Sequence, residues 1–329
     1  REGAAREREG AMVSKRSIAA ATVLAIGLAS QPARAEYPER TVDLVIPYAA
    51  GGGIDLLLRA IADSFSNQFK QSVVVSNRTG AGGALGVSYV ARSAPDGYTL
   101  LFVPALVYSV LPLMQSNVGY TDKSFVPICQ TFENQMAIVV KPDSPFKTTR
   151  DLVETAQAKH GLSFAATAPG TITHLAVAAL ADTANVKLNH VPFRGDGELM
   201  GQVIGGHVDF GSVTLASAAA AGPSVRVIAI FADARSPSAP DTPTTKEQGY
   251  DVAPTSFGGL FAPTGTPDDV LTKIGNGCKI AVEQPAYLGL AKQFHQGDRF
   301  YADAATFGKR LDADVADKKA LLQRIGLVK

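Results

Sequence analysis

Gly51-Gly52-Gly53, followed by Ile54 and Asp55, are the residues of this chain best placed to do chemistry, and that chemistry is anion binding. Successive glycines let backbone approach a ligand without Cβ obstruction. The apolar run 42–46 before them predicts a short buried strand. After them Leu57, Leu58, Ile61, Ala62, Phe65 and Phe69 recur near helical spacing. The first N–H groups of such a helix have no partner within it and carry partial positive charge, which suits an anion without any catalytic side chain. From this stretch alone, a tight connection that binds nothing remains equally open.

Other chemistries fit less well. Gly80-Ala81-Gly82-Gly83-Ala84-Leu85-Gly86 has the look of a dinucleotide loop, but the third glycine of G-x-G-x-x-G would fall on Leu85, and no phosphate-binding lysine follows. No serine sits in a G-x-S-x-G elbow. His174 follows Thr171 by three residues on a predicted helix, where packing or capping is the commoner role. Asp55 and Asp209 form no evident acid–base pair, so no catalytic constellation assembles and no enzyme is expected. The five histidines are scattered, and neither Cys129 nor Cys278 has a CxxC companion, so neither metal nor cofactor is expected. The two cysteines either pair or lie buried as thiols, and the latter is favoured.

The elements that must position the glycine loop alternate. Strand patterns at 72–76, 98–103, 135–140, 162–166, 188–192, 208–211 and 225–230 are interleaved with helix patterns at 84–90, 149–159, 171–182 and 197–204. The segment 99–112 continues from its strand into an apolar loop. A strand at 256–262, a helix from 267 and terminal helices over 304–325 close the chain. Such alternation predicts parallel sheets with helices on both faces and a ligand at the carboxyl ends of strands.

Met12 opens a unit with Lys15 and Arg16, an apolar stretch 18–28 and the small-x-small site Ala33-Arg34-Ala35. It reads as an export signal cleaved after Ala35, giving a periplasmic protein that is not membrane-inserted. With 31 Lys+Arg against 30 Asp+Glu, the chain has no electrostatic footprint for nucleic acid.

Several ordered motifs resemble the Bug, or TctC-like, family of extracytoplasmic solute receptors, the receptor components of tripartite tricarboxylate transporters. Pro47-Tyr48-Ala49-Ala50-Gly51-Gly52-Gly53-Ile54-Asp55 is similar to the family's first signature, and Asn77-Arg78-Thr79-Gly80-Ala81-Gly82-Gly83 to its next loop. Ala94-Pro95-Asp96-Gly97-Tyr98-Thr99-Leu100, His190-Val191-Pro192-Phe193-Arg194-Gly195, Gly205-Gly206-His207-Val208-Asp209 and Phe261-Ala262-Pro263-Thr264-Gly265-Thr266-Pro267 follow in the expected order.

The resemblance implies an α/β, two-domain periplasmic-binding-protein fold (Venus-flytrap, type II-like), with parallel-rich sheets flanked by helices and a ligand cleft between the lobes. Lobe 1 is expected over 36–135 and 255–329, lobe 2 over 136–254. The implied function is capture of a small organic carboxylate by a monomeric receptor and its delivery to a membrane transporter. The alternative is ligand sensing for a membrane kinase. The carboxylate is expected between Tyr48, Ala49, Gly51, Gly52, Ile54 and Asp55 on one side and Ala166, Thr167, Thr171 and His174 on the other, with Ala105, Leu106, Phe193, Val213 and Thr214 nearby. Ile54, Ala166, Leu106, Val107 and Val213 stand where the family often has polar groups or small ones. They point to a ligand with an apolar body, aromatic or aliphatic, in preference to citrate or an amino acid.

Overall fold

The computed structural model describes residues 36–328 apart from 116, 160, 255 and 297–299. The expected export signal therefore lies outside the described residues. Residues 40–329 form one compact unit, and every described strand and helix lies in it. β1 (Val42–Ile46) is almost fully buried. The helix after it, α1 (Gly53–Phe69), buries Leu57, Leu58, Ile61, Ala62 and Phe65 on one stripe and stops where Lys70 turns left-handed. β2 (Val73–Asn77) and β3 (Thr99–Pro104) pair parallel to β1 on either side, with α2 (Ala84–Ala91) between them in the chain.

The apolar segment expected as a loop folds instead into two short helices, α3 (Ala105–Ser109) and α4 (Leu111–Met114). Ala105, Val107 and Tyr108 bury against the first core, and packing decides what a weak local signal left open.

Two long strands complete the first sheet. β4 (Phe125–Asn134) carries Pro127, which removes a ladder donor and masks the strand in the sequence; the pairing register shifts beside it. β10 (Ser256–Pro263) lies antiparallel between β3 and β4. There Gly259 is obligatory, because a Cβ would run into the Cys129 carbonyl. With β11 (Ala302–Asp303) on β4, the order is β11-β4-β10-β3-β1-β2.

The second sheet has the order β7-β6-β8-β5-β9. It contains β5 (Met136–Val140), β6 (Leu162–Ala166), β7 (Leu188–Pro192), β8 (Phe210–Thr214) and β9 (Arg226–Phe231). β6 is parallel to β7 and β8, whereas β5 is antiparallel to β8 and β9. Both sheets are thus mixed rather than purely parallel. Around them lie α5 (Thr149–Lys159), α6 (Ile172–Ala184), α7 (Asp196–Ile204), α8 (Leu215–Ala221), α9 (Asp268–Val282), α10 (Pro285–Gln293) and α11 (Ala304–Arg324). The chain passes between sheets at Gln135, where β4 runs directly into β5, and returns between β9 and β10.

Cys129 on β4 and Cys278 on α9 are joined as a disulfide, with Cα atoms 6.7 Å apart. The favoured expectation of two thiols is corrected: both residues are fully buried where α9 packs on β4.

Candidate functional site

Asp55 decides the shape of the glycine loop. From the first turn of α1 its Oδ2 accepts from the Gly51 N–H at 2.8 Å and from Arg59 Nε at 2.9 Å. Its Oδ1 accepts from Asn77 Nδ2 at 2.8 Å and Arg59 Nη2 at 3.2 Å. Asn77 also donates to the Tyr48 carbonyl at 3.0 Å, which ties the loop to the end of β2. Burial pushes the Asp55 pKa up, but the Arg59 hydrogen bond, the Gly51 N–H, the Asn77 amide and the Arg59 charge together hold it below the usual aspartate value. The carboxylate, 1% exposed, is fully occupied inside the loop. The first bond of the helix is Leu56 N–H to the Gly52 carbonyl at 3.0 Å. Helix geometry therefore leaves the N–H groups of Gly53 and Ile54 without intrahelical acceptors.

That helix start opens on a recess of about 220 Å³. Gly53, Ile54 and Leu57 form its floor. Asn134 and Gln135 enter where the chain crosses between sheets, Thr214, Leu215 and Ala216 at the start of α8, and Phe294, His295 and Gln296 beyond α10. A Cβ on Gly53 would already sit 3.4 Å from the Phe294 ring. Elements next to both sheets thus close on one helix N-terminus.

The second loop, after β6, is organised differently. Thr167 Oγ1 lies 2.7 Å from both Thr171 Oγ1 and Thr173 Oγ1, the Thr167 N–H donates to Thr173 Oγ1 at 3.1 Å, and Thr171 Oγ1 donates to the Ala168 carbonyl at 2.7 Å. The Gly170 N–H donates to His174 Nδ1 at 3.2 Å, so that imidazole carries its proton on Nε2. His190 packs on His174 with centroids 4.4 Å apart, and its Nε2 lies 3.0 Å from the Thr167 carbonyl. Burial, reinforced by His190, lowers the His174 pKa to about 4.

The family model for the tripartite tricarboxylate transporter family receptor, TctC, matches residues 57–327. The chain belongs to the TctC receptor family. It is 33% identical over 326 residues to the UPF0065 protein in the gbd 5′ region of Cupriavidus necator, covering 96% of this chain and 98% of that protein. A TctC solute binding protein from Polaromonas superposes with a TM-score of 0.77 at 29% identity, over 88% of this chain and 99% of that one. MatC from Rhodopseudomonas palustris, solved with bound malate, superposes with a TM-score of 0.71 at 25% identity, over 87% and 100%. TctC receptors are solute-binding proteins, not enzymes, and the mixed α/β architecture is theirs.

Among the residues expected at a TctC ligand site, Ile54 and Thr214 meet in the recess. Tyr48 packs against the first core, while Ala49, Gly51 and Gly52 are exposed on the loop. Three of the apolar residues expected at the cleft, Ala105, Ala166 and Val213, are buried members of packed cores. Leu106 packs beside Val110 and Leu175, and Phe193 against the second sheet. Asp55 is spent on its own loop. Thr167 and Thr171 bond to each other, His174 accepts from the Gly170 N–H, and none of the three lines the recess.

Sequence reasoning missed Leu57, Gln135, Leu215 and the run Phe294-His295-Gln296 as recess residues. Gln135 left a faint signal as a polar residue directly before an apolar strand. The 294–296 run left none, because its place depends on α10 returning across α1.

Proposed function

We propose that this protein is an exported, periplasmic receptor that seats the carboxylate of a small organic acid on the N-terminus of α1 and hands the acid to a tripartite tricarboxylate-type transporter. The observation that carries the reading is the Gly53–Ile54 helix start, locked by Asp55 and opening into a recess walled from both sheets. Family membership and the malate bound by MatC support it. The buried disulfide suits an oxidising compartment, and among the described residues no helix is long and apolar enough to cross a membrane. Ile54, Leu57, Leu215 and Phe294 give the recess an apolar wall, so the ligand's body is a short hydrocarbon. One helix terminus supplies about 0.3–1 kcal/mol, and up to about 2 kcal/mol when partly buried. Micromolar affinity needs about 8 kcal/mol. Closure of lobe 36–135 with 255–329 against lobe 136–254 around the ligand body supplies the remainder, with the monomer as the working unit.

Calorimetry tests the carboxylate seat by pairing acids with their amides: succinate with succinamide, adipate with adipamide, benzoate with benzamide. The acids should bind at least about tenfold more tightly, the equivalent of one charge-assisted hydrogen bond. Equal binding of acid and amide would remove α1 as the anion seat. Small-angle scattering should show compaction with a saturating acid, and an unchanged radius would rule out closure.

A further inference from the structure

Among the polar side-chain atoms that line the recess, several are already satisfied and two are not. Asn134 Oδ1 accepts from Gln296 Nε2 at 2.6 Å, and Gln296 Oε1 accepts from the Glu133 N–H at 2.8 Å. Thr214 Oγ1 caps α8 by accepting from the Ser217 N–H at 3.1 Å and lies 2.8 Å from Ser217 Oγ. Gln135 Oε1 and His295 Nδ1 are buried and have no hydrogen-bond partner. Gln135 is 8% exposed, and its main chain is fixed because its carbonyl accepts from the Leu215 N–H at 2.9 Å. A buried acceptor left unpaired destabilises the fold, so its retention at a ligand recess calls for a donor on the ligand.

Resting on the carboxylate reading above, we propose that Gln135 is a specificity residue that selects an acid bearing a hydroxyl on its hydrocarbon body. The carboxylate sits at Gly53 and Ile54, the hydrocarbon lies along Leu57, Leu215 and Phe294, and the hydroxyl donates to Gln135 Oε1. With the proton of His295 on Nδ1, the same hydroxyl oxygen accepts from it. Charge decides between a hydroxyl and an ammonium. None of the recess-lining residues is Asp, Glu, Lys or Arg. The nearby Asp55 and Asp196 carboxylates are already engaged, the one by Arg59 and Asn77 and the other by Ser217 and Thr214. An ammonium would therefore be desolvated without a free counter-ion beside the positive end of a helix. A hydroxyl meets the same acceptor without that cost. This narrows the sequence-based expectation: the body is apolar along one wall and must carry one donor at the other end.

The experiment is calorimetry of the mature chain with malate, succinate and aspartate, three acids of one length that differ in a single substituent. Malate should bind about tenfold or more tighter than succinate, as expected where a site group pairs with a substrate hydroxyl. Aspartate should bind more weakly than malate. Gln135→Met keeps the volume and removes the acceptor. It should bring malate and succinate within about threefold of each other, with an unchanged or higher melting temperature, because an unpaired polar atom has been removed. Equal binding of malate and succinate by the wild-type protein, which needs no variant, overturns the proposal, as does a Gln135→Met protein that keeps the preference. Aspartate binding more tightly than malate overturns the choice of hydroxyl. Binding of adipate or benzoate without any of the three leaves the carboxylate receptor standing and removes the hydroxyl. Silence from every acid removes both.

Discussion

The loops after β1 and β6 share one design, strand to glycine-bearing turn to helix, yet they are locked by opposite means. In the first, a buried carboxylate gathers a guanidinium, an amide and a backbone N–H into one charged knot. In the second, three threonine hydroxyls and a neutral imidazole hold the turn with no net charge. The first leaves its helix start open to the recess. The second is packed against α4, where Gly170 lies against Met114. An ionic lock concentrates its strength in one residue, whereas a neutral network spreads it. The first loop should therefore fail at a single point and the second degrade by steps.

Asp55→Ala is the largest test of that contrast. It removes four hydrogen bonds at once and orphans the Gly51 N–H. Breaking a buried ion pair typically costs about 3–5 kcal/mol, and the half-exposed Arg59 tempers this to about 3 kcal/mol. Urea denaturation should show that loss, and malate should bind more weakly because Gly53 and Ile54 are no longer held. A loss below about 1 kcal/mol would mean that the glycine turn holds its own shape.

The two locks should also separate by pH. Unfolded His174 titrates near the ordinary histidine value of about 6.5, while in the fold it stays neutral down to about 4. Between those values the unfolded chain binds more protons, so its contribution is complete above about pH 6.5 and is lost as pH falls toward 4. The ceiling is about 3 kcal/mol. His190, also lowered by burial, adds a slope of the same sign. Asp55, held below its usual value, begins to weaken the fold only below about pH 4. Unfolding free energies measured between pH 7 and 3 should show both stages, and His174→Gln should flatten the upper one. An unflattened slope would assign the upper stage to other groups.

How far these locks were legible follows from how local they are. The strand, the glycine turn and the helix stripe from Leu57 to Phe65 sit within one stretch, and their order is visible in the residues. Arg59 sits one helical turn from Asp55 and was within local reach, but Asn77, which closes the other side of the carboxylate, lies 22 residues away and left no local sign. The burial of Val213 and Ala166 in packed cores was not legible either, because a strand residue points to either face and only register decides which. β4 was hidden by Pro127, and the recess wall at 294–296 by distance along the chain. What the sequence carried was the local design; what it lacked was the set of partners brought in by crossing between sheets.

Thr167→Val is the smallest test and the one that most sharpens the comparison. Valine keeps the volume but loses the bonds from Thr167 Oγ1 to Thr171 Oγ1 and Thr173 Oγ1. The Thr167 N–H still reaches Thr173 Oγ1, Thr171 still donates to the Ala168 carbonyl, and Thr173 Oγ1 has Thr171 Oγ1 as an alternative partner at 3.3 Å. The network therefore redistributes rather than opens, and the expected loss is about 1 kcal/mol, that of one ordinary hydrogen bond. Because Thr167 does not line the recess, malate affinity should change by less than about threefold, well within that single bond. A tenfold loss of affinity at unchanged stability would give the hydroxyl a direct contact with the ligand in the closed receptor. The second loop would then be a binding loop like the first, and the contrast between an open ionic loop and a packed neutral one would fall.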